Sequence, residues 1–146
     1  MTSRHSIAIQ RVSRLPGIPS DRLFRQWLEA TLPGAAELAL RVVNAAEACK
    51  LNGAYRSKDY ATNVLTFVYH EPHAKVLEGD IVLCAQVVAR EAREQGKPLE
   101  AHYAHLTVHG ALHLAGMDHE NKREANAMEA REIAILGKLG YADPYS

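Results

Sequence analysis

The stretch from Leu106 to His119 constrains this chain more than any other. Leu106, Val108, Ala111, Leu112 and Leu114 surround His109 and His113 at helical spacing, so the segment reads as a helix that is apolar around most of its circumference. Such a helix belongs at the centre of a domain, with other elements packed on several sides. His109 and His113 lie four apart and share one face, one turn above the other. Gly116 can end the helix and turn the chain, because glycine accepts left-handed backbone angles, and the turn swings His119 back toward the same point. A histidine pair at this spacing is commonly a surface feature, but burying two unpaired imidazoles among leucines and valines is costly without a partner. Three neutral imidazoles on one side of a divalent cation leave a position open to water, the plan of a catalytic zinc site rather than a closed structural one. The expectation is one zinc ion per chain on His109, His113 and His119. His102 and His105 precede them at helical spacing and read as surface or supporting groups rather than ligands.

A chain of 146 residues is the usual size of one domain and can bury a single core. No apolar run approaches the roughly 18 residues needed to cross a membrane. The N-terminal Met1–Ser6 lacks the apolar core of a signal peptide, so a cytoplasmic protein is expected. Cys49 and Cys84 are too few and too far apart for a disulfide framework and read as free thiols. Net charge is zero, which announces no nucleic-acid binder in bulk. Arg4, Arg11, Arg14, Arg22 and Arg25 nevertheless crowd the first 25 residues against one acid, Asp21; this is either a local phosphate-facing surface or scattered solvated arginines.

The pattern is mixed. Ile7–Val12, Glu37–Val43, Val64–Tyr69 and Gly79–Cys84 read as strands. Ser20 caps a helix through about Leu32, and Asn44 opens a short helix to about Leu51. Ala85–Gln95 is helical and closed by Gly96, the histidine helix runs from about Glu100 to Ala115, and a last helix follows Asn121 and ends near Gly140. No repeat or linker divides the chain. The expected fold is α+β: one domain over residues 1–146, a small mixed sheet packed with about five helices, and the metal site on a central helix and the turn after it.

Bound zinc brings the pKa of its water near neutrality and polarises a carbonyl or phosphoryl oxygen. Neutral ligands leave its charge near +2, which suits anionic substrates such as phosphodiesters. In a zinc-protease helix of the form His-Glu-x-x-His the glutamate is the general base; here Gly110 takes its place and the helix supplies none. Asp118 and Glu120 are candidate bases beyond the helix, though Asp118 is better suited to steadying a ligand or capping the turn. A second group of residues runs from Tyr55 to Phe67 and reads as a polar loop feeding a strand. Arg56 offers a planar two-pronged clamp for a phosphate, and Thr62 and Asn63 can fix the loop through side-chain bonds to the backbone; an ordinary solvated turn accounts for the same residues.

Two segments together resemble a known family. His109-Gly-Ala-Leu-His113-Leu-Ala-Gly-Met-Asp118-His119 is similar to the His-Gly-x-Leu-His-Leu-x-Gly-Tyr-Asp-His signature of the YbeY endoribonucleases, also called rRNA maturation factors. Tyr55–Asp59 with Thr62–Phe67 is similar to that family's second motif, and Gly79-Asp80-Ile81 to the start of a strand beside its metal. The resemblance runs from about Ile7 to Leu139. It implies zinc on His109, His113 and His119 and places the family's functional arginine on Arg56. It also implies single-strand-specific endoribonuclease activity, a role in 16S rRNA 3′-end maturation and ribosome quality control, and the small ribosomal subunit and its proteins as partners. On that footing Arg56 and His113 are the expected catalytic residues, and Arg56 and Lys58 the expected substrate contacts. The nucleophile is either metal-activated water or the ribose 2′-OH. Met117 stands where the family has tyrosine, and Val68 where a turn residue is frequent. Two other readings stay open: a zinc hydrolase of peptides or esters, and a ribosome assembly factor whose metal mainly stabilises the fold.

Overall fold

The computed structural model of the chain describes residues 5–56 and 62–146, leaving aside the side chains of Tyr55 and Arg56. In chain order the elements are β1 (His5–Arg11), α1 (Asp21–Thr31), β2 (Ala36–Val43), α2 (Ala45–Arg56), β3 (Val64–Val68), β4 (Leu77–Cys84), α3 (Ala85–Gln95), α4 (Leu99–Leu114) and α5 (Lys122–Leu139). Four strands form one mixed sheet in the order β1-β2-β4-β3. β1 and β4 both run parallel to β2, while β3 pairs antiparallel with β4 and forms one edge. The α+β fold expected from the sequence is the one observed.

Alternation along the strands separates two apolar layers. Ile81 and Leu83 of β4 join Leu38, Leu40 and Val42 of β2 on one face. Val82 and Cys84 point the other way, with Leu65, Val43 and Ala48 of α2. The larger layer holds α4, which packs against β3, β4, α1, α3 and α5 and is buried on most sides. Phe24 of α1 meets Trp27 and Tyr103 edge to face, at centroid separations of 5.5 and 6.0 Å, and so seats α1 on α4.

Local signals hold where the chemistry is local. Ser20 Oγ accepts the Leu23 N–H at the start of α1, and Asn121 Oδ1 accepts the Glu124 N–H at the start of α5. The boundaries of α2 and β4 differ from expectation for tertiary reasons. α2 runs past Leu51 to Arg56 because Asn52 is buried and packing carries the helix through Gly53. Tyr55 and Arg56 therefore end a helix rather than open a loop. β4 starts at Leu77, two residues early, because Leu77 pairs with Ala36 of β2. The N-terminal arginines are partly spent on structure: an Arg11 guanidinium nitrogen donates to the Pro19 carbonyl, and Arg25 Nη1 donates to the Ile7 carbonyl at 2.8 Å. No helix among the described residues is long and apolar enough to cross a membrane.

Candidate metal and phosphate-binding site

The histidine helix ends as its glycine requires. The Gly116 N–H reaches the His113 carbonyl and the Met117 N–H the Leu112 carbonyl, both at 3.0 Å, with Gly116 at φ +106°. This crossed pair of bonds is the Schellman ending, which a residue with a side chain forms only under strain. It turns the chain so that His119 comes back beside the helix. The His119 ring lies 5.5 Å from that of His109 and 6.5 Å from that of His113, centre to centre. Met117, in the position of the family tyrosine, packs half-buried against the main core.

The three histidines line one wall of a cleft of about 710 Å³, joined there by Asp118. The opposite wall is the segment Thr62–Tyr69, which includes the edge strand β3. Gly110 explains how the helix comes so near the sheet. A Cβ there would lie 3.0 Å from Ile81 Cγ2 and 3.3 Å from Thr66 Oγ1. The position that carries a general base in a zinc-protease helix lies here in tight contact with the sheet and carries no side chain.

Asp118 acts on its own turn: its Oδ1 accepts the His119 N–H at 2.7 Å, which steadies the approach of that histidine. Asn63 reaches out of its own segment. Its amide donates across to Glu91 Oε1 of α3 at 3.0 Å, and the same oxygen meets His102 Nε2 at 2.9 Å. His102 is a core residue, 3 % exposed, rather than a surface group. Burial holds its pKa below the ordinary value against the raising effect of Glu91, so the ring meets that carboxylate as a neutral imidazole. Tyr69, 63 % exposed, stands at the end of the cleft wall with its hydroxyl donated to Asp80 Oδ2 at 2.7 Å. The side chain of Arg56 and all of Lys58 lie outside the described residues.

The sequence reading passed over Glu132. This α5 carboxylate is 1 % exposed. His105 Nε2 meets its Oε1 at 2.6 Å, Tyr145 donates its hydroxyl to the same oxygen at 2.6 Å, and His109 Nδ1 meets Oε2 at 2.9 Å. Burial alone pushes the carboxyl pKa up, but the hydrogen bonds from His105, His109 and Tyr145 together outweigh it and hold the value at about 2. Burial and the bond to Glu132 push the Tyr145 phenol well above its ordinary value. The one trace in the sequence is an acid in register with the inward positions Met128, Ile135 and Leu136 of α5.

Among the described residues no three His, Cys, Asp or Glu side chains already converge at metal-binding distance. Rings that share a zinc through nitrogen at about 2.0–2.1 Å sit about 5 Å apart, centre to centre. His109 and His119 nearly meet this spacing; His113 and His119 are wider than it. The donor chemistry fits the ion. His109 engages a carboxylate through Nδ1, so Nε2 is the ring nitrogen left for an ion. His119 is exposed and follows the turn that ends α4.

Comparison with known proteins gives the chain its relatives. The family model described as Endoribonuclease YbeY matches residues 14–140. A protein of Aromatoleum aromaticum named Endoribonuclease YbeY is 53 % identical over 148 residues, covering 99 % of this chain and 95 % of its own. One from Xanthomonas campestris pv. campestris (strain B100) with the same name is 56 % identical over 139 residues, covering 89 % and 86 %. The solution structure of TM1509 from Thermotoga maritima is 25 % identical and superposes with a TM-score of 0.58, covering 94 % of this chain and 99 % of that one.

Proposed function

Because the chain belongs to the endoribonuclease YbeY family, we propose that it is a cytoplasmic, zinc-dependent, single-strand-specific endoribonuclease acting in 16S rRNA 3′-end maturation and ribosome quality control. The observation that carries the reading is the cleft in which His109, His113 and His119 face the edge strand β3. In this reading the three imidazoles hold one zinc ion. When bound, the ion supplies Lewis acidity toward a phosphoryl oxygen and a water acidic enough to react near neutral pH.

The chain's own groups do the rest. An edge strand carries backbone N–H and C=O groups that its sheet leaves unused, and these suit an extended single strand laid along the cleft. Tyr69 offers an exposed ring, steadied by Asp80, on which an unpaired base can stack. Arg56, at the end of α2, takes the role of phosphate clamp, and Lys58 adds a second cation for the RNA backbone. The small ribosomal subunit and its proteins are the expected partners. Asp118 is the one carboxylate among the described lining residues, and its Oδ1 already serves the His119 N–H; with glycine at 110, peptide hydrolysis gains no support.

The test is cleavage of a single-stranded RNA spanning a 16S 3′ end by wild type and by His113→Ala, prepared side by side and both shown to be folded. Loss of cleavage in the variant supports chemistry at the histidine cleft. Equal cleavage overturns it, and retained ribosome maturation by that variant would favour an assembly factor with a structural metal.

A further inference from the structure

Behind the histidines, on the side away from β3, lies a second cavity of about 380 Å³ lined by His109, His119, Met128, Glu129, Glu132 and Tyr145. Glu132 and its partners His109 and Tyr145 form part of this lining. We infer that Glu132 is a positioning residue that fixes His109 as the Nδ1–H tautomer and so aims its Nε2 at the cleft, with His105 and the C-terminal Tyr145 holding the carboxylate in place. The inference rests on the metal reading of the cleft.

Donor and acceptor counting carries it. An ionised carboxylate only accepts, so each of its three partners must donate. His105 therefore carries its proton on Nε2, and its Nδ1 is left buried without a hydrogen-bond partner. That is a cost the fold accepts in order to point a second N–H at Glu132. Tyr145 reaches the same oxygen from the C-terminal segment, 13 residues further along the chain. Both donors fall on Oε1, which leaves Oε2 to His109 alone. The proton of a neutral His109 is thereby assigned to Nδ1, and Nε2 becomes the nitrogen able to bind a cation.

Stability alone does not account for a carboxylate here. Met128, Ile135 and Leu136 make the inward side of α5 apolar, and a leucine at 132 would extend that stripe. Replacing a buried ionic cluster by packed apolar side chains is often neutral or stabilising. What leucine cannot do is choose between the two tautomers of His109.

The experiment reads the tautomer directly, by long-range ¹H–¹⁵N NMR of the histidine rings in the metal-free full-length chain, together with zinc titration. Wild-type His109 protonated on Nδ1 is the expected result, and protonation on Nε2 overturns the inference without any variant being made. Glu132→Gln should disturb the His109 ring signals and weaken zinc binding about 10–100-fold at unchanged stoichiometry. Zinc binding equal to wild type in folded Glu132→Gln overturns it. Should Glu132→Gln fail to fold, Tyr145→Phe, altered at a half-exposed ring, serves in its place: weaker zinc binding supports the inference and unchanged binding overturns it. A wild-type protein that takes up no zinc overturns the metal reading itself, whereas zinc uptake with the opposite tautomer overturns only the role of Glu132.

Discussion

Replacing Gly79 by alanine should break the wall of the cleft. Gly79 lies in β4 opposite Val68 of β3. A Cβ there would stand 2.2 Å from the Phe67 carbonyl oxygen and 2.5 Å from Leu114 Cδ1. Leu114 can rotate, but the carbonyl belongs to the neighbouring backbone. Carbon–oxygen contacts between strands run at about 3.3–3.6 Å, so β3 must retreat by roughly 1 Å. That retreat stretches edge bonds such as Tyr69 N–H to the Glu78 carbonyl, now 2.8 Å, beyond useful length. Two such bonds, at about 0.5–1.5 kcal/mol each, together with about 1–3 kcal/mol for forcing Leu114 aside, amount to about 2–6 kcal/mol. For a chain of this size 1 kcal/mol moves Tm by about 2–4 °C, so a mid-range loss of about 4 kcal/mol lowers Tm by about 8–16 °C. Thermal unfolding followed by circular dichroism measures it. A fall of less than about 2 °C would refute the close approach of β3 and β4 at Gly79.

Gly137→Ala is the opposite case: the position is inside α5, an added Cβ meets nothing within 4 Å, and helix propensity predicts a gain of about 0.5–1 kcal/mol, read as a raised urea midpoint. Acid sensitivity should trace in part to His102. Its folded pKa is depressed, so the unfolded chain takes the proton first as pH falls. Stability is therefore full above about 6.5 and drops below it. Urea midpoints at pH 7.5 and 5 should differ less in His102→Gln than in wild type, and equal differences would count against the buried neutral imidazole. Zinc at a hundred times its dissociation constant should stabilise wild type by about 2.7 kcal/mol, and this rise in Tm should largely vanish in His113→Ala.

The features that sequence revealed are those whose causes lie within a turn or two of chain. Ser20 and Asn121 bind N–H groups three residues on. Gly116 closes α4 through bonds to His113 and Leu112. The approach of three imidazoles follows from a four-residue repeat and one left-handed glycine. The apolar run around them likewise announces a buried helix, and α4 is the element on which β3, β4, α1, α3 and α5 converge. The end of α2 and the start of β4 answer to distant partners instead. Gly53 discourages helix locally while burial of Asn52 sustains it, and Leu77 is drawn into β4 by Ala36, 41 positions earlier in the chain.

The support around the histidines shows the same limit more sharply. Glu132 meets His109 across 23 residues and His105 across 27, and Asn63 meets Glu91 across 28. No periodicity spans such intervals; the contacts exist because α5 and α3 both pack on α4. Yet Glu132 does leave a local mark. Helix α5 places Met128, Ile135 and Leu136 inward, and the carboxylate falls on the same side, four residues after Met128. An isolated buried carboxylate is too costly to persist, so an acid in that register implies donors waiting across the interface. The helix facing α5 is the one with histidines at 105 and 109, a turn apart on one face, which is the spacing needed for both rings to reach a single carboxylate. The inward acid and the extra upstream histidine are thus two halves of one signal: the repeat that brings histidines to one face of α4 also supplies two partners to the carboxylate of α5.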